Sequence, residues 1–132
     1  MILIDSSIWL ESSRRDAGAI RVELDELLAN DSVATTEVII AEVLQGAKTE
    51  AEFSEWQEVL GALHFYPADL PIWEKAARLA FDLRRRGQQT AISDLVVATV
   101  AMENDFAVYT KDTDFARIPG LIGAPTPTPL IV

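Results

Sequence analysis

The chain has 132 residues, of which 49% are hydrophobic and 24% charged, and it carries a formal net charge of -10. That length reads as one domain over residues 1–132, with ample apolar material for a single core. With no cysteine and one histidine, disulfides and zinc–cysteine sites are excluded, and the composition fits a reducing, cytoplasmic setting. The opening Met1-Ile2-Leu3-Ile4-Asp5 lacks a basic segment and loses its apolar character at Asp5, so it does not read as a signal peptide. No apolar run approaches the ~18 residues of a membrane span, and no membrane partner is expected.

In chain order, Ile2-Leu3-Ile4 reads as a short buried strand that ends at Asp5, after which Ser6 and Ser7 offer helix N-caps. A short helix follows over 8–14. Residues 17–29 are amphipathic, with Ile20, Leu24, Leu27 and Leu28 at helical spacing. Residues 32–35 form a second short strand. Thr36 can cap a helix over 37–45, with Gly46 at the position of a C-terminal glycine. Another helix over 49–63 is expected to bury Phe53, Trp56 and Leu60, and a strand over 64–66 stops at Pro67. Asp69 and Pro71 open a long helix that buries Ile72, Ala76, Leu79, Ala80 and Leu83 and ends at Gly87. Ser93 caps a helix from Asp94 to Asn104 that is apolar nearly all round, the mark of a central buried helix. Residues 106–110 form a strand. Beyond Gly120, Pro125, Pro127 and Pro129 forbid helix and allow at most an edge strand. Strands alternating with helices imply a parallel sheet covered on both faces, which gathers ligands outside the C-terminal ends of its strands.

Carboxylates interrupt four of these apolar segments, at Asp5, Glu42, Asp94 and the pair Asp112 and Asp114. Each has an ordinary explanation. Asp5 can cap a helix, Glu42 can face solvent, Asp94 suits a first helical turn, and Asp112 suits an Asx-turn. Their conjunction is more informative. At ~4 Å and an effective dielectric of ~20, each like-charged pair costs about 4 kcal/mol, so a shared pocket calls for protons or cations. With no thiolate to compete, the matching ion is a hard divalent one, Mg²⁺ or Mn²⁺, and the matching chemistry is hydrolysis of a phosphodiester. Arg84-Arg85-Arg86 can serve either as favourable charge at a helix C-terminus or as RNA phosphate contacts. The acidic balance, with a pI near 4.4, runs against nucleic acid as a ligand. A bound cation would offset part of it, and an acidic body also suits a basic partner protein.

Ile4-Asp5-Ser6-Ser7, Ala41-Glu42-Val43-Leu44-Gln45-Gly46, the helix of Ser93 to Ala101 and Thr110-Lys111-Asp112-Thr113-Asp114-Phe115 together resemble, in order and spacing, the motifs of the PIN domain. The resemblance is specifically to VapC-type toxins of bacterial toxin–antitoxin pairs, and it adds little after Ile118. It implies a three-layer α/β/α fold around a central, mainly parallel sheet of four to five strands. It implies a Mg²⁺-dependent endoribonuclease, with Mn²⁺ able to substitute, whose metal-activated water hydrolyses RNA. Asp5, Glu42, Asp94 and Asp112 would be the catalytic and metal-binding quartet, Asp114 an accessory ligand, and Ser7 and Thr110 orienting residues. It further implies a homodimer and a small VapB-like antitoxin that places a basic residue in the acidic cleft. Three alternatives stand beside it. They are a PIN-fold nuclease of RNA maturation, a PIN-like interaction module without catalysis, and a phospho-receiver domain. The last fits poorly, because Thr110 and Lys111 are adjacent and Ser6 follows Asp5.

Overall fold

Three consecutive apolar residues, Ile2–Ile4, form the first strand, β1, and all three are buried. An apolar run without alternation is what a strand in the middle of a parallel sheet requires, because helices cover both of its faces. The computed structural model describes residues 1–123. After β1 come α1 (Ser6–Ser12), α2 (Ala19–Ala29), β2 (Val33–Thr35), α3 (Glu37–Gln45), α4 (Glu50–Gly61), β3 (His64–Phe65), α5 (Leu70–Arg85), α6 (Ile92–Glu103), β4 (Ala107–Tyr109), a 3-10 turn (Thr113–Arg117) and β5 (Ile122–Gly123).

The sheet order is β3-β2-β1-β4-β5, and every pairing is parallel. The expected three-layer α/β/α architecture is therefore the observed one. From β1 the chain moves outward through β2 to β3, then crosses back to lay β4 and β5 on the other side. The reversal falls between β1 and β4, and at such a switch point the carboxyl ends of neighbouring strands open a crevice. Register places Ile4 opposite Tyr109, and the Asp5 amide still donates to the Tyr109 carbonyl at 2.9 Å. Asp5 and Thr110 thus leave the sheet side by side.

The core helix is α6, in which every residue from Leu95 to Ala101 is buried, and it packs on β1, β4, α3 and α5. Trp9 of α1 is 1% exposed. Its indole Nε1 donates to the Ile4 carbonyl at 3.1 Å, and its ring meets Trp56 of α4 edge-on.

Several local expectations are corrected. Ser6 and Ser7 lie inside α1 and Asp5 takes the N-cap position. Ser93 lies inside α6, whose N-cap is Ala91. Gly46 keeps an ordinary φ of -80°, and smallness is its role, since a Cβ there would stand 3.0 Å from Leu10 Cδ2. Phe53 is exposed, whereas Leu60 on the same helix is buried. Thr49 and Asp69 do cap α4 and α5 through their side chains. The C-terminal segment supplies β5 as an edge strand beside β4, and Pro125, Pro127 and Pro129 lie outside the described residues.

Trp9→Phe keeps most of the packing but leaves the Ile4 carbonyl without the indole donor. Urea unfolding should show a loss of about 1–2 kcal/mol, and an unchanged midpoint would refute a structural role for that bond.

Candidate active site

Asp5 is 4% exposed, a depth at which a carboxylate needs donors. Two hydroxyls supply them, both on Oδ2. Ser7 Oγ donates from 2.8 Å and Thr110 Oγ1 from 2.9 Å. Among the described residues Oδ1 accepts no hydrogen bond. Ser7 reaches Asp5 because α1 begins at once after β1, and Thr110 because β4 ends beside it. The Thr110 hydroxyl also accepts from the Asp112 amide at 3.0 Å, so one side chain fixes both the Asp5 carboxylate and the start of the following loop.

Glu42 comes in from α3, half-buried, and accepts from Ser6 Oγ at 3.3 Å. Burial raises its carboxyl above the usual range, the Asp5 charge raises it further, and the Ser6 hydroxyl partly opposes them. Asp94 comes in from the first turn of α6. Its carboxyl is pushed up to about 7, first by burial, then by the charges of Asp5 and Asp112, a hydrogen bond with Asp112, and the charge of Glu42. Asp112 caps the 3-10 turn by accepting from the Asp114 amide at 2.9 Å. All four acids therefore act on one point, although they enter from four separate elements. Asp5 occupies the N-cap position of α1 without a side-chain cap bond, whereas Asp112 caps the 3-10 turn through its side chain.

Asp114 is placed differently. Its Oδ1 accepts from Arg117 Nη2 at 2.6 Å, and it is not among the groups that shift Asp94. Arg84 and Arg85 occupy the last turn of α5 and Arg86 its C-cap, all three exposed. Two participants escaped the sequence reading. Ser6 had been taken as a cap, and Arg117 was not singled out. The only available signal for Arg117 was its i, i+3 spacing from Asp114.

Among the described residues no ion pair joins Asp5, Glu42, Asp94 or Asp112 to a cation. The nearby cations are spent elsewhere, Lys111 on Glu11 and Arg117 on Asp114. Nor do any three of the described acids stand arranged to hold a metal ion as they are. The donor set nonetheless fits a hard divalent cation. It consists of carboxylate oxygens alone, mutually repelling and uncompensated, with Asp94 driven toward its protonated form for lack of positive charge.

Burial and that repulsion together set a pH dependence. Asp94 titrates near 7 in the folded chain against 3.8 for an unperturbed Asp. Between those values the folded state holds a proton that the unfolded state has released, so stability falls as pH rises from about 4 to about 7. Thermal unfolding of the metal-free chain should show this fall. Asp94→Asn should flatten it, and Mn²⁺ should raise the Tm more at pH 8 than at pH 5. A wild-type profile as flat as that of the variant would contradict the clustered arrangement.

The PIN domain family matches residues 2–121 of this chain. VapC ribonuclease Mb1587 of Mycobacterium bovis is 30% identical over 131 residues, covering 94% of this chain and 98% of that protein. Ribonuclease VapC5 of Mycobacterium tuberculosis is 34% identical over 126 residues, covering 89% and 87%. Among solved structures, VapBC2 from Rickettsia felis, bound to a DNA fragment from its promoter, shares the fold. It matches with a TM-score of 0.77 at 20% identity, over 92% of this chain and 96% of that one. The receiver-domain alternative is thereby set aside. A polypeptide whose switch-point crevice is ringed by four acids, and whose matched length runs from the first strand to beyond the last of those acids, belongs to the PIN domain family and stands with its VapC ribonucleases.

Proposed function

We propose that the chain is a Mg²⁺-dependent endoribonuclease, the toxin of a toxin–antitoxin pair, held inactive by a small VapB-like antitoxin. The observation that carries the chemistry is the upward displacement of Asp94, by burial first and then by three neighbouring acids. Such a pocket gains stability from the cation that phosphodiester hydrolysis uses. Asp5, Glu42, Asp94 and Asp112 are the residues that would hold Mg²⁺, or Mn²⁺ in its place, with Asp114 contributing only after release from Arg117. The bound ion would supply an acidified water and charge stabilisation at the leaving oxygen.

The chain's own groups prepare that site. Ser7 and Thr110 pin Asp5 Oδ2 and leave Oδ1 unengaged among the described residues. Ser6 fixes Glu42. The buried body of α6 anchors the helix turn that carries Asp94. A basic residue from an antitoxin would relieve the same repulsion as a metal, and so would compete with it. The net charge of -10 favours such a partner. So does a cavity of about 1060 Å³ between α1, α2 and α4, which joins Trp9, Leu24 and Trp56 to Arg14, Arg15 and Glu52. That lining suits an amphipathic segment. Homodimerisation and a single domain over residues 1–132 complete the proposal.

Asp5→Asn and Asp94→Asn should each abolish Mg²⁺-dependent cleavage of RNA by the purified chain while leaving the circular dichroism spectrum unchanged. Cleavage by either variant at the wild-type rate would remove it from the catalytic set. Expression of the wild type should arrest growth, with rescue by co-expression of the neighbouring small gene. Growth without arrest would favour a nuclease of RNA maturation instead.

A further inference from the structure

Helix α5 ends in a turn that builds a second concave site beside the acids. Gly87 takes a φ of +77°, a conformation glycine adopts without strain. The Gly87 amide then bonds the Arg84 carbonyl and the Gln88 amide bonds the Leu83 carbonyl, the Schellman pattern of a helix end. The following loop turns back along α5 and encloses a cavity of about 620 Å³, whose lining includes Phe81, Arg84, Gln88, Gln89, Thr90 and Ile92. That volume lies within the usual range for small-ligand sites.

Three features of this cavity point to a ligand. No Asp or Glu lines it, although the chain carries 21 of them against 11 Lys and Arg. Phe81 is 49% exposed, with the guanidinium groups of Arg78 and Arg85 each 5.4 Å from its ring centre. The Thr90 hydroxyl is buried with no hydrogen-bond partner, beside the amides of Gln88 and Gln89. The cavity is also coupled to the acids. Ile92 stands two residues before Asp94. Arg117 Nη2 donates both to the Gln89 carbonyl at 3.0 Å and to Asp114 at 2.6 Å, which ties the loop to the turn that Asp112 caps.

We propose that this cavity is a nucleotide subsite that receives one unpaired base of the RNA, next to the phosphate presented to the acids. The inference rests on the nuclease reading and adds to it a place on the chain for the nucleotide beside the scissile phosphate. Phe81 offers an exposed ring for stacking beside Arg78 and Arg85, the side-chain amides of Gln88 and Gln89 offer donors and acceptors to a base edge, and Arg84 meets a phosphate. A base stacked within an A-form duplex cannot enter. The nucleotide's phosphate suits this place because the hollow is free of acids and lined by Arg84 in a chain of net charge -10.

Binding of a labelled single-stranded oligoribonucleotide is measured by anisotropy on the cleavage-deficient Asp94→Asn chain, and KM and kcat on the active chain. Phe81→Ala should weaken binding about fivefold or more, the low end of one base–aromatic stack, and Phe81→Trp should restore it. Arg84→Gln should lower the slope of log affinity against log salt by about 0.7. In both weakened variants KM should rise with kcat nearly kept. Normal cleavage with unchanged KM in Phe81→Ala and Arg84→Gln overturns the subsite alone. Equal losses for a hairpin duplex of the same sequence overturn it in favour of general charge attraction. A changed elution volume for Phe81→Ala overturns it in favour of contact with a second copy of the chain. A wild-type chain that neither binds nor cuts RNA overturns the nuclease reading and the subsite together.

Discussion

The hydrogen bonds from Ser7 and Thr110 to one oxygen of Asp5 are the constraint around which the site is built. A carboxylate at the end of a buried strand is tolerable only where donors already wait for it. The reversal of strand order supplies them. Because β4 lies against β1 rather than at the far edge of the sheet, a residue 105 positions away along the chain ends up in hydrogen-bond contact with Asp5. Thr110 in turn receives the Asp112 amide, so the register of one strand pair fixes two acids. A one-residue slip of β4 against β1 would put Lys111 or Tyr109 at that position and break both links.

The remaining acids arrive on helices that cannot yield. Behind Asp94, seven consecutive residues of α6 are buried, and rotating the helix to hydrate the carboxylate would expose part of that surface. Each Å² of apolar area so exposed costs roughly 25 cal/mol, which opposes the rotation. Asp94 instead takes up a proton at a pH where an ordinary aspartate has lost it. The sheet and core helix thus hold a locally unfavourable charge arrangement in place. This is how conflicts between local preference and global fold come to mark functional positions.

Much of this was legible in the residues. The unalternating run Ile2-Leu3-Ile4 points to a buried strand, Asp69 with Pro71 marks a helix start, and the apolar circumference of α6 marks the core helix. What local sequence does not encode is the recipient of a hydroxyl. Ser6, Ser7 and Ser93 all satisfy the cap pattern, yet Ser6 donates across 36 residues to Glu42 and Ser7 turns back to Asp5. Phe53 shares the helical spacing of Trp56 and Leu60, but the tertiary contact of α4 covers only part of that face and leaves Phe53 exposed. The pairing of Asp114 with Arg117 needs the 3-10 turn, which has no periodic signature over five residues. The acids themselves were individually ambiguous for a physical reason. At Asp112 the cap role and the site role draw on the same carboxylate, whose Oδ1 accepts the Asp114 amide, so there neither reading excludes the other.

The net charge and the proposed ligand conflict only if charge is averaged over the whole surface. At physiological ionic strength the Debye length is about 8 Å, so acids elsewhere on the body are largely screened from a strand lying along the α5 and α6 termini. What such a strand meets is local. Arg84, Arg85 and Arg86 form no ion pair among the described residues, and no carboxylate lines the adjoining hollow. Asp94 of the acid quartet lies just past Ile92 on the same helix. Because its charge is uncompensated, the quartet repels the phosphate backbone until a cation enters. Positive charge on α5 and an ion among the acids are then both needed before a scissile phosphate can approach. A basic side chain inserted from a partner would satisfy the acids without generating a nucleophile. Under the proposed function, the same electrostatic vacancy would account both for activation by a metal and for silencing by a basic partner, which the acidic body would favour over any non-productive anion.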